Sequence, residues 1–405
     1  LREAAAILIG YLIGSILPAY ILGRLIKGID IRQHGTGNAG TVNTAKVLGL
    51  LPAVPTAIYD TLKGVGAVYI SLKLLRVSEP VAYASGIAAI AGHVFPFYLG
   101  FRGGQGVATA VGLMLRNLFL LYSDLQKLRA SYFDWLVLLA AVLAFWYISK
   151  RGTVVGVVVL PVLIYQVILR NGVNPLTIFT GLLIAHILFV DIVLNIIKER
   201  IFALKPEARR SLKLWRFALR PFAVLFLVFY ELIGKPFAIT LLGGVTLAFL
   251  LFDLVRLSHS RLNLLLFRNL MMVFKEKEAR RFSSMTLFLI ASSITLLLFE
   301  RSIAFLVMLF LIFGDMFAKF FGLRFGRRRF FHKTVEGSLA HLICCLIVGS
   351  LVKGRLRLSP AEVVLGSAVA TLAEAAPTGI DDNLSVGLIT SIVLKAFRFG
   401  ASLLD

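Results

Sequence analysis

PLTIFTGLLIAHILFVDIVLNII, residues Pro175–Ile197, is apolar almost from end to end and, wound as a helix, long enough to cross the roughly 30 Å of hydrocarbon in a bilayer. Six runs before it repeat the pattern, near 4–23, 50–72, 80–99, 106–122, 132–149 and 153–170. Seven more follow, near 221–234, 236–255, 283–299, 302–323, 337–352, 361–377 and 384–397. The pattern predicts an all-α polytopic membrane protein of two helical bundles, with about seven transmembrane helices each. The bundles would occupy 1–197 and 221–405, joined by a basic amphipathic linker over 198–220.

A mean hydropathy of +0.88 with 59% hydrophobic residues excludes a soluble domain. The net charge of +22 sits in short loops between the apolar runs, which points to anionic lipid headgroups or phosphorylated substrates and away from nucleic acid. Loops at 24–46, 99–106 and 149–153, with the segment 198–220, hold 15 Lys/Arg against 6 at 73–80, 116–131 and 170–174. The positive-inside rule puts the first set in the cytoplasm. In the second half, seven Lys/Arg at 256–282 and five at 324–333 put Asp315, Lys333 and Asp381 on that side too. A multi-pass protein of the cell (inner) membrane with cytoplasm-facing sites is expected. The first run, starting at Leu1 without a small-residue cleavage site, reads as a resident helix. Cys344 and Cys345 are adjacent and have no other cysteine to pair with.

Two loops in the first half carry phosphate-type chemistry. GHVFPFYLGFRGGQGVAT, 92–109, sets Gly100, Gly103, Gly104 and Gly106 beside Arg102, a composition that leaves backbone N–H groups uncovered for an anion. DIRQHGTGNAGTVNTAK, 30–46, alternates glycines with small polar residues, offering Thr36, Gly37, Asn38, Gly40, Asn43 and Lys46 to phosphate oxygens. Asp60 and Lys63 lie three apart on one helical face inside an apolar run, as a pair that orders the site or as functional groups. His93 reads either as a general base or as a bond to a loop carbonyl, and His34 has the same two readings.

GTGNAGTVN, DTLKG and GHVFPFYLGFRGGQGVAT together resemble the bacterial acyl-phosphate:glycerol-3-phosphate acyltransferase family over about residues 4–207. The resemblance implies a seven-helix enzyme without a cofactor in this half. It would move a fatty acyl group from acyl phosphate to glycerol 3-phosphate, with Lys63, Arg102, Gly103, Gly104, Gly106, Ser149 and Asn195 joining the first-loop residues at substrate; His93, from its own position at the helix end, is the catalytic candidate. Because an acyl phosphate is already activated, positioning would do most of the catalysis. The chain departs from the family pattern at Thr36 and Val42, where serine and threonine are usual, and at Arg102 and Gln105, where lysines are. A later His-Arg pair is replaced by Ile192 and Val193, so a divergent or inactive acyltransferase is the alternative.

In the second half, acids face a basic loop: Asp315 in IFGDMFAKFFG, Glu336 and Lys333 in RFGRRRFFHKTVEGS, and Glu374, Asp381 and Asp382 in LAEAAPTGIDDNLS. Such a set suits a Mg2+-nucleotide. It resembles the CTP-dependent lipid kinase family of dolichol, phytol and diacylglycerol kinases, over about residues 221–400 and reaching back to Asp253, Arg256, Asn263 and Glu278. The resemblance implies Mg2+ on Asp315 and on Asp381 or Asp382, and the CTP triphosphate on Arg327, Arg328, Arg329 and Lys333. A membrane lipid alcohol, such as diacylglycerol or a polyprenol, would sit at Glu336 or Glu374. The rival readings are a CTP:phosphatidate cytidylyltransferase for this half and a lipid or phosphate transporter for the whole chain.

Overall fold

The computed structural model describes residues 1–197, 199–204, 219–259, 263, 276–377, 379 and 381–403. Lys198 and residues 205–218, most of the expected basic linker, lie outside the described residues. Among the described residues the only strands are Arg329–Phe330 and Lys333–Thr334, paired antiparallel; all other regular structure is helical. Among the described residues nine helical spans, the first running Arg2–Lys27, are long and apolar enough to cross a membrane, and the protein is an all-α polytopic membrane protein.

The chain forms two compact units: Leu1–Tyr132 with Gly156–Ile201, and Phe133–Val155 with Phe202–Asp405. The first holds α1 (Arg2–Ser15), α2 (Pro18–Lys27), α3 (Thr41–Leu48), α4 (Leu50–Tyr69), α5 (Glu79–Val94), α6 (Val107–Leu121), α7 (Leu125–Ala130), most of α9 (Gly152–Asn171) and α10 (Pro175–Phe189). The apolar run near 4–23 is broken because Pro18 opens α2 at its first position, where the missing N–H has no partner to lose. Backbones of α1 and α5 touch: a Cβ on Gly14 would overlap the Ala89 carbonyl. Tyr11 donates to the Phe95 carbonyl at 2.7 Å and Tyr98 to the Ser15 carbonyl at 2.9 Å, fastening the loop after α5. Leu17, Ala19, Ile31, Ala39 and Leu99 form one apolar cluster, seating residues of both polar loops on a common base.

The helix α8 (Tyr132–Ser149) groups from Phe133 onward with the second unit. Its Asp134 is buried and accepts from Ser350 at 2.7 Å and from Lys353, and Phe145 packs on Phe321 with centroids 4.9 Å apart. That unit continues with α11 (Val224–Leu232), α12 (Lys235–Ser258), α13 (Ser284–Leu298), α14 (Arg301–Leu309), α15 (Asp315–Phe325), α16 (Val335–Leu356), α17 (Pro360–Ala375) and α18 (Asp382–Ser402). The Asp253–Arg256–Asn263–Glu278 set is a buried brace. Arg256, fully enclosed, donates to Asp253 at 2.7 and 3.0 Å, to Asn263 at 3.0 Å and to the Glu278 carbonyl at 2.9 Å.

Candidate active site

Three helices of the first unit meet at a buried polar cluster. Lys63 on α4 donates to Asp60 Oδ1 at 2.7 Å, to the Ile16 carbonyl at 3.3 Å and to His93 Nδ1 at 2.5 Å; Thr109 on α6 donates to the Asp60 carbonyl at 2.8 Å. The carboxylate beside His93, at 3.4 Å, is thus Asp60 from another helix. His93 Nδ1 thus faces both the Lys63 ammonium and the Asp60 carboxylate, while its Nε2 lies against Gly104 of the glycine loop.

The loop after α5 folds back on the same point. Gly103 and Gly104 donate their amides to the Val94 and His93 carbonyls at 2.9 and 3.0 Å, which corrects the expectation that the glycine amides stand uncovered. Their value lies in closeness: a Cβ on Gly104 would overlap His93 Nε2 and stand 2.9 Å from the Ala39 carbonyl of the first loop. Gly106 takes a left-handed φ of 73° and opens α6 with no side-chain cap, so the first-turn amides of α6 remain available to an anion. Arg102 is exposed.

In the first loop, Gly40 opens α3, again without a side-chain cap. Thr36 and Gly37 are exposed and Asn38 half-buried. Asn43 is buried and its amide is fully engaged: Oδ1 accepts from the Thr36 N–H at 2.6 Å, and Nδ2 donates to the Ile31 and His34 carbonyls at 2.9 and 3.0 Å. It braces the loop rather than meeting a ligand. His34 does bond a loop carbonyl, that of Asp30, at 3.1 Å. Lys46 is exposed, at the edge of a cavity of about 500 Å³ lined by Thr41, Val42, Ala45, Leu50 and Ala53.

Arg32, which the sequence reading passed over, ties the loops together. Its guanidinium holds Asp30 at 2.7 Å and donates to the Leu99 and Arg102 carbonyls at 3.1 and 2.5 Å. The hydrogen bond from Arg32 keeps the Asp30 carboxyl below its ordinary range. Arg32→Ala should lower unfolding stability by about 1–3 kcal/mol, since two carbonyls and a carboxylate lose their donor. Thermal unfolding in detergent checks this; an unshifted midpoint would deny the clamp.

Two further expected site residues make local hydrogen bonds. Asn195 bonds Asp191 on its own helical turn at 3.3 Å. Ser149 belongs to the second unit and donates back to the Phe145 carbonyl at 2.6 Å.

In the second unit, Lys333 bridges Glu374 and Asp382, each at 2.7 Å. Burial pushes its ammonium pKa down, but the two carboxylates outweigh this and hold it above the ordinary value. Glu336 accepts the Arg327 and Arg328 amides at 2.9 and 3.3 Å, shaping the basic turn. Arg327 also reaches the Tyr147 and Ile148 carbonyls, while Arg328 and Arg329 are exposed. Glu374 Oε2 is buried with no hydrogen-bond partner among the described residues. The expected metal carboxylates are otherwise engaged: Asp315 pairs with Lys319 at 2.5 Å and with Arg220, Asp381 caps α18 through Asn383, and Asp382 holds Lys333. Among the described residues no three His, Cys, Asp or Glu side chains gather to hold a metal. The set does not fit a resident ion.

Residues 4–200 match the family model for glycerol-3-phosphate acyltransferase. A glycerol-3-phosphate acyltransferase of Shouchella clausii is 47% identical over 117 residues, 29% of this chain and 57% of the relative. One from Syntrophotalea carbinolica is 36% identical over 181 residues, 45% of this chain and 85% of the relative. The chain spans about half the length of several curated relatives it matches, including 51% of one from Halalkalibacterium halodurans. A crystal structure of an integral membrane glycerol 3-phosphate acyltransferase in its glycerol 3-phosphate form aligns with a TM-score of 0.39 and 24% identity, over 49% of this chain and 92% of that one.

Proposed function

Through its N-terminal region the chain belongs to the glycerol-3-phosphate acyltransferase family, and we propose that this region transfers a fatty acyl group from acyl phosphate to a hydroxyl of glycerol 3-phosphate. The observation that carries the reading is the pair of helix starts, α3 at Gly40 and α6 at Gly106, both without a side-chain cap, on loops clamped together by Arg32. Two substrates that each bear a phosphate call for two such anion sites. In the reaction the acceptor hydroxyl oxygen forms the new ester bond, the bond between acyl carbon and phosphate oxygen breaks, and the hydroxyl proton leaves with the phosphate. With the leaving phosphate as proton acceptor, no protein base is needed. The charge bias of the loops favours a cytoplasmic site. Mass spectrometry of the products tests the proposal: acyl phosphate with glycerol 3-phosphate should yield lysophosphatidic acid, and acyl-CoA in its place should yield none. Equal use of acyl-CoA would overturn the donor assignment.

For the second unit we propose CTP-dependent phosphorylation of a membrane lipid alcohol, with the nucleotide taken as its Mg2+ complex. What supports it is the unpartnered Glu374 Oε2, an acceptor suited to a lipid hydroxyl, next to Lys333, whose strand pairs with Arg329–Phe330. The Glu374→Gln variant should lose nucleotide-dependent lipid phosphorylation by about a hundredfold while acyl transfer stays within about twofold of wild type. Loss of both activities from a folded variant would contradict two separate sites.

A further inference from the structure

We infer that His186 is a positioning residue for phosphate binding in the first unit, acting through the peptide that joins Gln105 to Gly106. His186 stands on α10, and its Nε2 lies 3.0 Å from the Gln105 carbonyl oxygen. A carbonyl only accepts, so Nε2 carries the proton and donates it. The peptide is planar and trans; the Gly106 N–H therefore points opposite to the Gln105 carbonyl, away from His186. It joins the first-turn amides of α6, which have no side-chain cap.

The need for such a fastening follows from the flanks. Gln105 stands between Gly104 and Gly106, and glycines let a peptide plane turn over with little steric resistance. Without a donor on its carbonyl, the 105–106 peptide could rotate and carry the Gly106 amide out of line. A second observation marks the same place as a ligand site. His93 is 3% exposed, and its Nε2 faces Gly104 with no hydrogen-bond partner among the described residues. His93 thus aims a ring nitrogen at the loop whose next amide His186 orients. The ligand that fits an oriented amide at an uncapped helix start is a phosphate monoester or acyl phosphate oxygen.

The inference rests on the acyltransferase reading only for its activity measurement, so the test has a second arm. His186→Phe and His186→Gln would be compared with wild type, as full-length protein in lipid nanodiscs, by equilibrium titration with inorganic phosphate and by steady-state acyl transfer. The phenylalanine variant should bind phosphate about tenfold more weakly and raise KM for a phosphate-bearing substrate by a similar factor, with kcat little changed. Glutamine, which keeps a donor, should restore most of both. A merely structural role would lower kcat with the amount of folded protein and leave KM alone. If wild type transfers no acyl group yet the phosphate titration separates the variants, the functional reading fails and this inference stands. Identical phosphate affinity in all three proteins, or no phosphate binding by wild type, overturns it.

Discussion

Lys63→Met should destabilise the first unit by about 3–5 kcal/mol, because a buried carboxylate loses its ammonium partner. Asp60 is 1% exposed, and Lys63 is the ammonium that faces it at 2.7 Å. The same change removes the ammonium that His93 Nδ1 contacts at 2.5 Å. Activity should fall with stability, and the two losses can be separated by assaying below the lowered melting point. An Asp60→Leu/Lys63→Met double variant should recover much of the unfolding midpoint, since no isolated charge is then buried, while acyl transfer stays low. If Lys63→Met melts like wild type, the pair carries no weight in the fold.

Gly104→Ala should cost acyl transfer at least about a hundredfold, the scale on which a displacement of about 1 Å acts. The added methyl has nowhere to go: His93 Nε2 lies in its path, the ring is pinned by Lys63, and the Ala39 carbonyl closes the other side at 2.9 Å. The methyl would push the two polar loops apart and displace the His93 ring. Steady-state rates on a variant shown to be folded check this. A rate within a few-fold of wild type would mean that the meeting of the loops at Gly104 is not where the chemistry happens.

The apolar runs and the two polar loops were legible because they are local patterns. Where a run stops was less so: the sequence gives one span near 4–23, and Pro18 divides it. The site was readable as a region and misread in detail. Whether a glycine amide is free depends on partners elsewhere, and those of Gly103 and Gly104 are taken by carbonyls about ten residues back, at Val94 and His93. Asn43 looked like a ligand because its residue type suits one, yet burial turned it inward. The role of His93 follows from Asp60 and Lys63, which only helix packing brings to it. Arg32 was hidden beside Asp30 as an ordinary loop pair, and nothing local announces its reach to Leu99 and Arg102. His186 did carry a signal: an ionisable residue inside a membrane run is a functional suspect, and that rule, applied to Asp60 and Lys63, applies equally there. In the second unit, the Lys319–Asp315 pair lies four apart on one helix and follows from spacing, whereas Lys333–Glu374 and Lys333–Asp382 join distant segments and cannot be read from it.

The most direct measurement gives the purified full-length chain, in lipid nanodiscs without nucleotide, a fatty acyl phosphate and glycerol 3-phosphate, and counts lysophosphatidic acid formed against inorganic phosphate released. One phosphate per acylated product, dependent on glycerol 3-phosphate and lost in Gly104→Ala, is the predicted result. Acyl phosphate left unconsumed by folded wild-type protein, or broken down at the same rate without an acceptor, would contradict the account.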